Sequence, residues 1–311
     1  MRRFLLILSL VLVAPLHAAD ASPVTDGAKW IIHVDCQRII AGDLGPFIRQ
    51  VASKPEAVVG MAQIEAVFGV KILSDIHNVT IFGEDASEEK TVLAVQGRFD
   101  RTKLMALVEK SEQHAVTDYA NRKIHTWHDG EKNKNPFACL ASDNLLLVGN
   151  TDAMLRRCID ALDATTPATV IGADLNSPET LAFCAVRDLQ SLQGANPKAA
   201  ILQKVTELRA HADAKNKQFS VALEAKAIDE AAAKNVKSIV DGLRALAALN
   251  AQQDARAAEV ADKVAVQTDG LMIRVSLSIN ADTATGWLDE QLKQAGGAQK
   301  QNVLATPVPG N

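Results

Sequence analysis

One order of elements is written twice along this chain, and that repetition constrains the fold more than any motif does. Apolar periodicity predicts strand, helix, hairpin, helix, hairpin, helix over residues 28–164 and again over 180–292. Thr180–Val186 in the second copy answers Trp30–Asp35 in the first, and Ile228-Asp229 opens a helix as Phe99-Asp100 does. The first copy is longer because it holds an extra hairpin, His114 to His128. Few residues are identical between the copies, so the repeat is one of pattern.

Alternation within the strands sets the fold class. Leu271, Ile273, Val275, Leu277 and Ile279 alternate with Met272, Arg274, Ser276 and Ser278, which gives a strand with one apolar and one polar face. Each copy therefore reads as an α+β domain, an antiparallel sheet covered by helices on one face. No glycine-rich turn joins a strand to a helix, which excludes a doubly wound nucleotide fold. The two copies separate at 165–179, a stretch rich in Thr, Pro, Gly and Asn that reads as a linker.

Local signals place many boundaries. Ser53-Lys54-Pro55-Glu56 has the form of a capping box, and Gly69 suits the stop of the helix it starts. Asp100 and either Asn150 or Thr151 are placed to cap later helices. Ala120-Asn121, Lys215-Asn216 and Asp269-Gly270 read as hairpin turns. A helix is expected from about Pro197. Another begins after Asp229, with Val236, Ile239, Val240, Leu243, Leu246 and Ala247 in one apolar stripe, expected to cover its own sheet.

The two ends carry different signals. Met1-Arg2-Arg3, the apolar run Phe4–Ala14, Pro15 and the small Ala18-Ala19 form the pattern of a signal peptide over residues 1–19. Eleven residues make a helix about 16 Å long, short of the roughly 20 residues a bilayer needs. The expected mature product is periplasmic or secreted, soluble, and without a stable membrane anchor. Residues 293–311 lack periodicity and are expected to be disordered.

Composition narrows the partners. Removing Arg2 and Arg3 with the leader takes the net charge from −4 to −6, and the remaining basic residues are scattered, which argues against nucleic acid. Eight Phe, three Trp and one Tyr offer few platforms for stacking on bases or sugars. Cys36, Cys139, Cys158 and Cys184 all sit in apolar settings, so buried thiols and up to two disulfides both remain open. Cys139 with Cys158 is the first pair to test.

Some strings carry a resemblance. Gly97-Arg98-Phe99-Asp100 at a strand-to-helix junction and Ile124-His125-Thr126-Trp127 in the next hairpin are two of them. Asp143-Asn144-Leu145-Leu146-Leu147-Val148, leading into Thr151-Asp152-Ala153-Met154 and ending at Ala161-Leu162-Asp163, is the third. Together they resemble a group of exported bacterial two-domain α+β proteins with no assigned function. The resemblance implies the fold and the compartment, and it carries over no catalytic residue.

Several strings have the form of reactive constellations, and each has a plainer reading. His125 and His128 form an HxxH pair, but residues three apart on a strand point to opposite faces. Asp129, Glu131, Asn133 and Asn135 alternate like a calcium loop, yet Lys134 stands where glycine is required and Leu140 where the bidentate Glu should be. Ser87-Glu88-Glu89-Lys90 matches a short acyl-transfer motif but leads into a strand, where the lysine cannot reach the serine. Asn78-Val79-Thr80 is a sequon inside a strand. No metal and no cofactor is therefore expected.

Three functions follow. The first is a non-enzymatic binding or cell-envelope component, its partner an unidentified protein or small ligand of the envelope. The second is a hydrolase whose site is assembled from distant residues, with His33, Asp35 and His125 as the candidates. The third is an apolar-ligand carrier using space between sheet and helices.

Overall fold

The computed structural model describes residues 22–164, 171–189, 202–249, 255–290 and 292. The predicted leader, the start of the predicted linker, the helix expected from Pro197 and the tail lie outside the described residues.

Among the described residues twelve strands form one antiparallel sheet. In chain order they are β1 (Trp30–Asp35), β2 (Ile76–Gly83), β3 (Thr91–Gly97), β4 (Ala115–Tyr119), β5 (Arg122–Thr126) and β6 (Phe137–Ser142), followed by β7 (Leu145–Gly149), β8 (Thr180–Val186), β9 (Val205–Lys215), β10 (Gln218–Ala227), β11 (Ala265–Asp269) and β12 (Met272–Asn280). The order across the sheet is β11-β12-β10-β9-β8-β1-β2-β3-β7-β6-β5-β4. Outward from the centre, the first half runs β1, β2, β3, β7, β6 and the second β8, β9, β10, β12, β11, the same connectivity twice. The extra hairpin β4–β5 extends the first half at its edge.

The two halves are joined through their opening strands. β1 pairs antiparallel with β8, with His33 opposite Phe183 and Ile32 opposite Cys184. The expectation of a separate sheet in each copy is thus corrected: both sets of strands share one hydrogen-bonded sheet. Each opening strand is apolar enough to sit centrally, so each can satisfy the other's free edge. Residues of 171–179 are packed down as well. Ile171 is buried in the first core, Arg38 Nη1 donates to the Ser177 carbonyl at 2.7 Å, and Asp174 and Glu179 pair with Arg209 and Lys215.

The two cores lie on opposite faces of the shared sheet. Strand side chains alternate faces, and the cross-strand register carries each face across the sheet. Ile31, Phe82, Val92, Leu147, Cys139 and Ile124 fall on the first face. On them sits α6 (Asp152–Asp163), which buries Met154, Leu155, Cys158 and Ile159. In the second half that face carries Arg209, Glu224 and Arg274 instead, and the helix packs on the reverse side. There α7 (Glu230–Leu249) sets Ala232, Ala233 and Val236 against Ala225 and Ile273. Only the start of its apolar stripe is covered; Ile239, Leu243 and Leu246 are exposed. α8 (Ala255–Lys263) follows, and α9 (281–290) comes after β12.

Between β1 and β2 lie α1 (Cys36–Ala41), α2 (Gly45–Ala52), α3 (Pro55–Phe68) and α4 (Ile72–Asp75); α5 (Arg101–Glu109) follows β3. α3 starts at Pro55 with no side-chain cap, so the predicted capping box does not form. Ser53 instead ends α2, its hydroxyl donating to the Gln50 carbonyl at 2.7 Å. Gly69 stops α3 in the left-handed region, and Asp100 and Thr151 cap α5 and α6. The four cysteines are free thiols, Cys139 and Cys158 fully buried among core side chains.

Candidate functional site

Beyond the C-terminal end of α6, the first face of the sheet changes character. Under α6 its residues are fully apolar, but one and two rows further it carries His33, Thr80, Asp35, Asn78 and Gln96 on β1, β2 and β3. These five form the floor of a cleft of about 1000 Å³. Its walls come from the end of α6 at Leu162, the β6–β7 turn at Asn144, the segment at Asn176, and Ser22 to Val24.

Polar groups on a sheet face need partners, and these find them locally. His33 Nδ1 and Thr80 Oγ1 share a hydrogen bond of 2.8 Å, and the His33 ring stacks on Phe183 with centroids 4.9 Å apart. Burial pushes the His33 imidazole below its ordinary range, with Asp35 opposing and Arg38 adding to the shift, so the ring is neutral at pH 7. Asp35 ends β1 and caps α1: its Oδ1 accepts from Arg38 N at 2.9 Å, and its Oδ2 pairs with Arg38 Nε at 3.0 Å. Asn78 Nδ2 donates to Gln96 Oε1 at 2.6 Å. Arg122, on the cleft wall, is held by a two-pronged contact with Asp163 at 2.6 and 2.8 Å.

After this pairing, several valences still face the cleft without a protein partner among the described residues. They are the second ring nitrogen of His33, the Asn78 side-chain oxygen and the Gln96 side-chain nitrogen. The charged groups, Asp35 with Arg38 and Arg122 with Asp163, neutralise one another. The floor therefore presents uncharged donors and acceptors side by side, an arrangement that suits a neutral polar molecule.

Of the three residues singled out from sequence, His33 and Asp35 meet in this cleft, because residues two apart on a strand share a face. His125 does not join them. It lies on the reverse face, on β5, with its strand partners Ala138 and Val116. Asn78, Thr80, Gln96 and Arg38 were not anticipated. The sequence signal for them is Asn and Gln inside otherwise apolar strands, with Asn78 also the first residue of a sequon.

The other motifs resolve into local structure. His128 Nδ1 bonds Asn135 Oδ1 at 3.0 Å, away from His125. The Asp129 carboxylate accepts from the backbone of Glu131 and Lys132, closing its own turn. Ser87 and Lys90 both engage Asp85. Among the described residues no helix is long and apolar enough to cross a membrane.

No known family profile matches the chain, and no curated protein matches it. Solved structures do. Crystal form III of TP0453 is similar at a TM-score of 0.46 and 10% identity, covering 86% of this chain and 96% of that one. Crystal forms IV and I of TP0453 give the same score at 9% identity, covering 86% and 87% of this chain.

Proposed function

We propose that this is an exported protein of the periplasm or exterior that works by binding, and that the polar-floored cleft is where it binds a small, neutral, hydrogen-bonding ligand. The observation that carries this is the placement of His33, Thr80, Asn78 and Gln96 on the face of the sheet that, in the first half, is its core. A sheet builds polar side chains into that face at a cost in burial, and a bound partner offsets it. The signal-peptide pattern of residues 1–19 supports the compartment. The shared connectivity of the two halves supports reading 28–164 and 180–292 as tandem copies of one unit.

The test is purification from the native envelope without denaturant, followed by mass spectrometry of the released small molecules. A compound that accompanies the wild-type chain and is lost from Asn78→Leu/Gln96→Leu is the expected result. Equal recovery from both, or none from either, overturns the reading.

A second reading, carriage of an apolar ligand, is favoured by the reverse face. There Ile32, at the centre of the sheet, is 47% exposed, and its neighbours Ile81 and Cys184 are only half-buried. Saturable binding of a fluorescent fatty acid, weakened by Ile32→Asp and untouched by Asn78→Leu, would support this reading over the first.

A further inference from the structure

Away from the cleft, two imidazoles meet at the edge of the sheet. His114 Nε2 and His125 Nδ1 lie 3.1 Å apart, with ring centroids at 5.4 Å and planes within 8°. These values describe two rings nearly in one plane, edge to edge, with a hydrogen bond along the line between them. His125 is buried, only 6% exposed, while His114 is half-buried. His114 reaches this position because Gln113 just before it holds a left-handed backbone, φ 54°, a conformation unfavourable for a non-glycine residue. The same connection is fastened once more, by His128 N donating to the Glu112 carbonyl at 2.9 Å.

We propose that the His114–His125 pair is an acid-sensitive latch that holds the α5–β4 connection onto the edge hairpin β4–β5. The chemistry is that of counting protons. Two neutral rings share one N–H between the facing nitrogens, and adding a single proton from solvent leaves that bond intact. A proton on each ring places hydrogen on both facing nitrogens. The bond is then lost and two cations face each other.

The surroundings favour release in acid. Burial is the largest influence disfavouring charge on His125, followed by His114 and then Lys123 from β5; Glu109 from α5 opposes them, and Arg101 from α5 adds a smaller push than Glu109 takes away. Asp118 from β4 is occupied by Lys123 at 3.0 Å, and the neighbours across the strands, Val116 and Ala138, carry no charge. Together these influences hold His125 below its ordinary range. A histidine depressed in the folded state contributes stability above its unfolded value near 6.5, and that stability is lost as pH falls below it. Opening would expose β4, an edge strand already largely in water.

The test is amide hydrogen exchange on the full chain at pH 7.5 and 5.0, corrected for intrinsic rates. Amides of residues 115–126 are expected to lose protection at least tenfold at the lower pH, while those of β2 and β3 do not. In His114→Gln, which can keep a neutral hydrogen bond to His125, this pH step should shrink clearly, leaving only the part due to burial of His125. Protection that is independent of pH, or a step of equal size in the variant, overturns the latch. Should the variant fail to fold, NMR titration of the wild-type rings decides. Two coupled steps, one of them below the ordinary histidine range, support the latch, and two independent unperturbed curves overturn it.

Discussion

The two halves of the sheet share a strand order yet bury opposite faces. In the first half, α6 seals Phe82, Leu147, Ile124 and Cys139 beneath Leu155 and Ile159, all at or below 1% exposure. In the second, the same face is laced with ion pairs such as Glu224–Arg274 and Glu207–Lys226. Its core lies on the reverse side, under Ala232 and Val236 of α7. Connectivity alone does not decide which face a helix covers. What decides is where large apolar side chains alternate in the strands: Phe82, Val92 and Leu147 on one face in the first half, Leu223, Ala225 and Ile273 on the other in the second.

That contrast can be broken most sharply with the cysteines. Cys158, in the sealed core, has its thiol pushed up to about 12 by burial, and Cys139 to about 11. Cys184, on the reverse face of the central strand, is also raised by burial but only half-covered. Since the thiolate is the reactive form, iodoacetamide at pH 8 should label Cys158 and Cys139 markedly more slowly than the half-covered Cys184, with Cys158 the slowest. Equal rates would mean that α6 does not seal its face.

Stability measurements extend the comparison. Phe82→Ala should lower unfolding free energy by about 3–5 kcal/mol in denaturant titrations, because a fully enclosed ring leaves a cavity. Gly97→Ala should cost about 1–3 kcal/mol, since an added Cβ would stand 2.3 Å from the Asp75 carbonyl oxygen, where backbone cannot give way. Ile32→Ala, on the uncovered face of the same central strands, should cost roughly 1 kcal/mol, much of its side chain being in water already. Glu224→Ala, breaking the ion pair with Arg274 on the charged face, should cost about 0.5 kcal/mol or less. A large loss at Ile32 would show that something covers the reverse face in solution.

Much of the fold was legible before the structure. The strands, the hairpin turn at Ala120-Asn121 with both residues at positive φ, the Asp100 and Thr151 caps and the Gly69 stop all lie where local chemistry places them. One turn is displaced by a residue, with Asn216 and Lys217 holding the positive φ values. The capping box failed because Pro55 starts α3 from Lys54, while Ser53 is already committed to α2. For the cleft, His33 and Asp35 were legible together, since two residues on one strand share a face by periodicity alone. Their neighbours Asn78 and Gln96 were not, because no local pattern announces which strand lies alongside.

The sequence by itself therefore determined the element types, the twofold pattern and the turns, all of which depend on contacts within a few residues. The tertiary structure decided three things that local pattern cannot. β1 meets β8 to make one sheet of two sets of strands, and α6 and α7 take opposite faces of it. His125 turns away from His33 and Asp35 and toward His114. Each depends on pairings between residues far apart in the chain, where the choice of neighbour follows from which large apolar surfaces can be buried together.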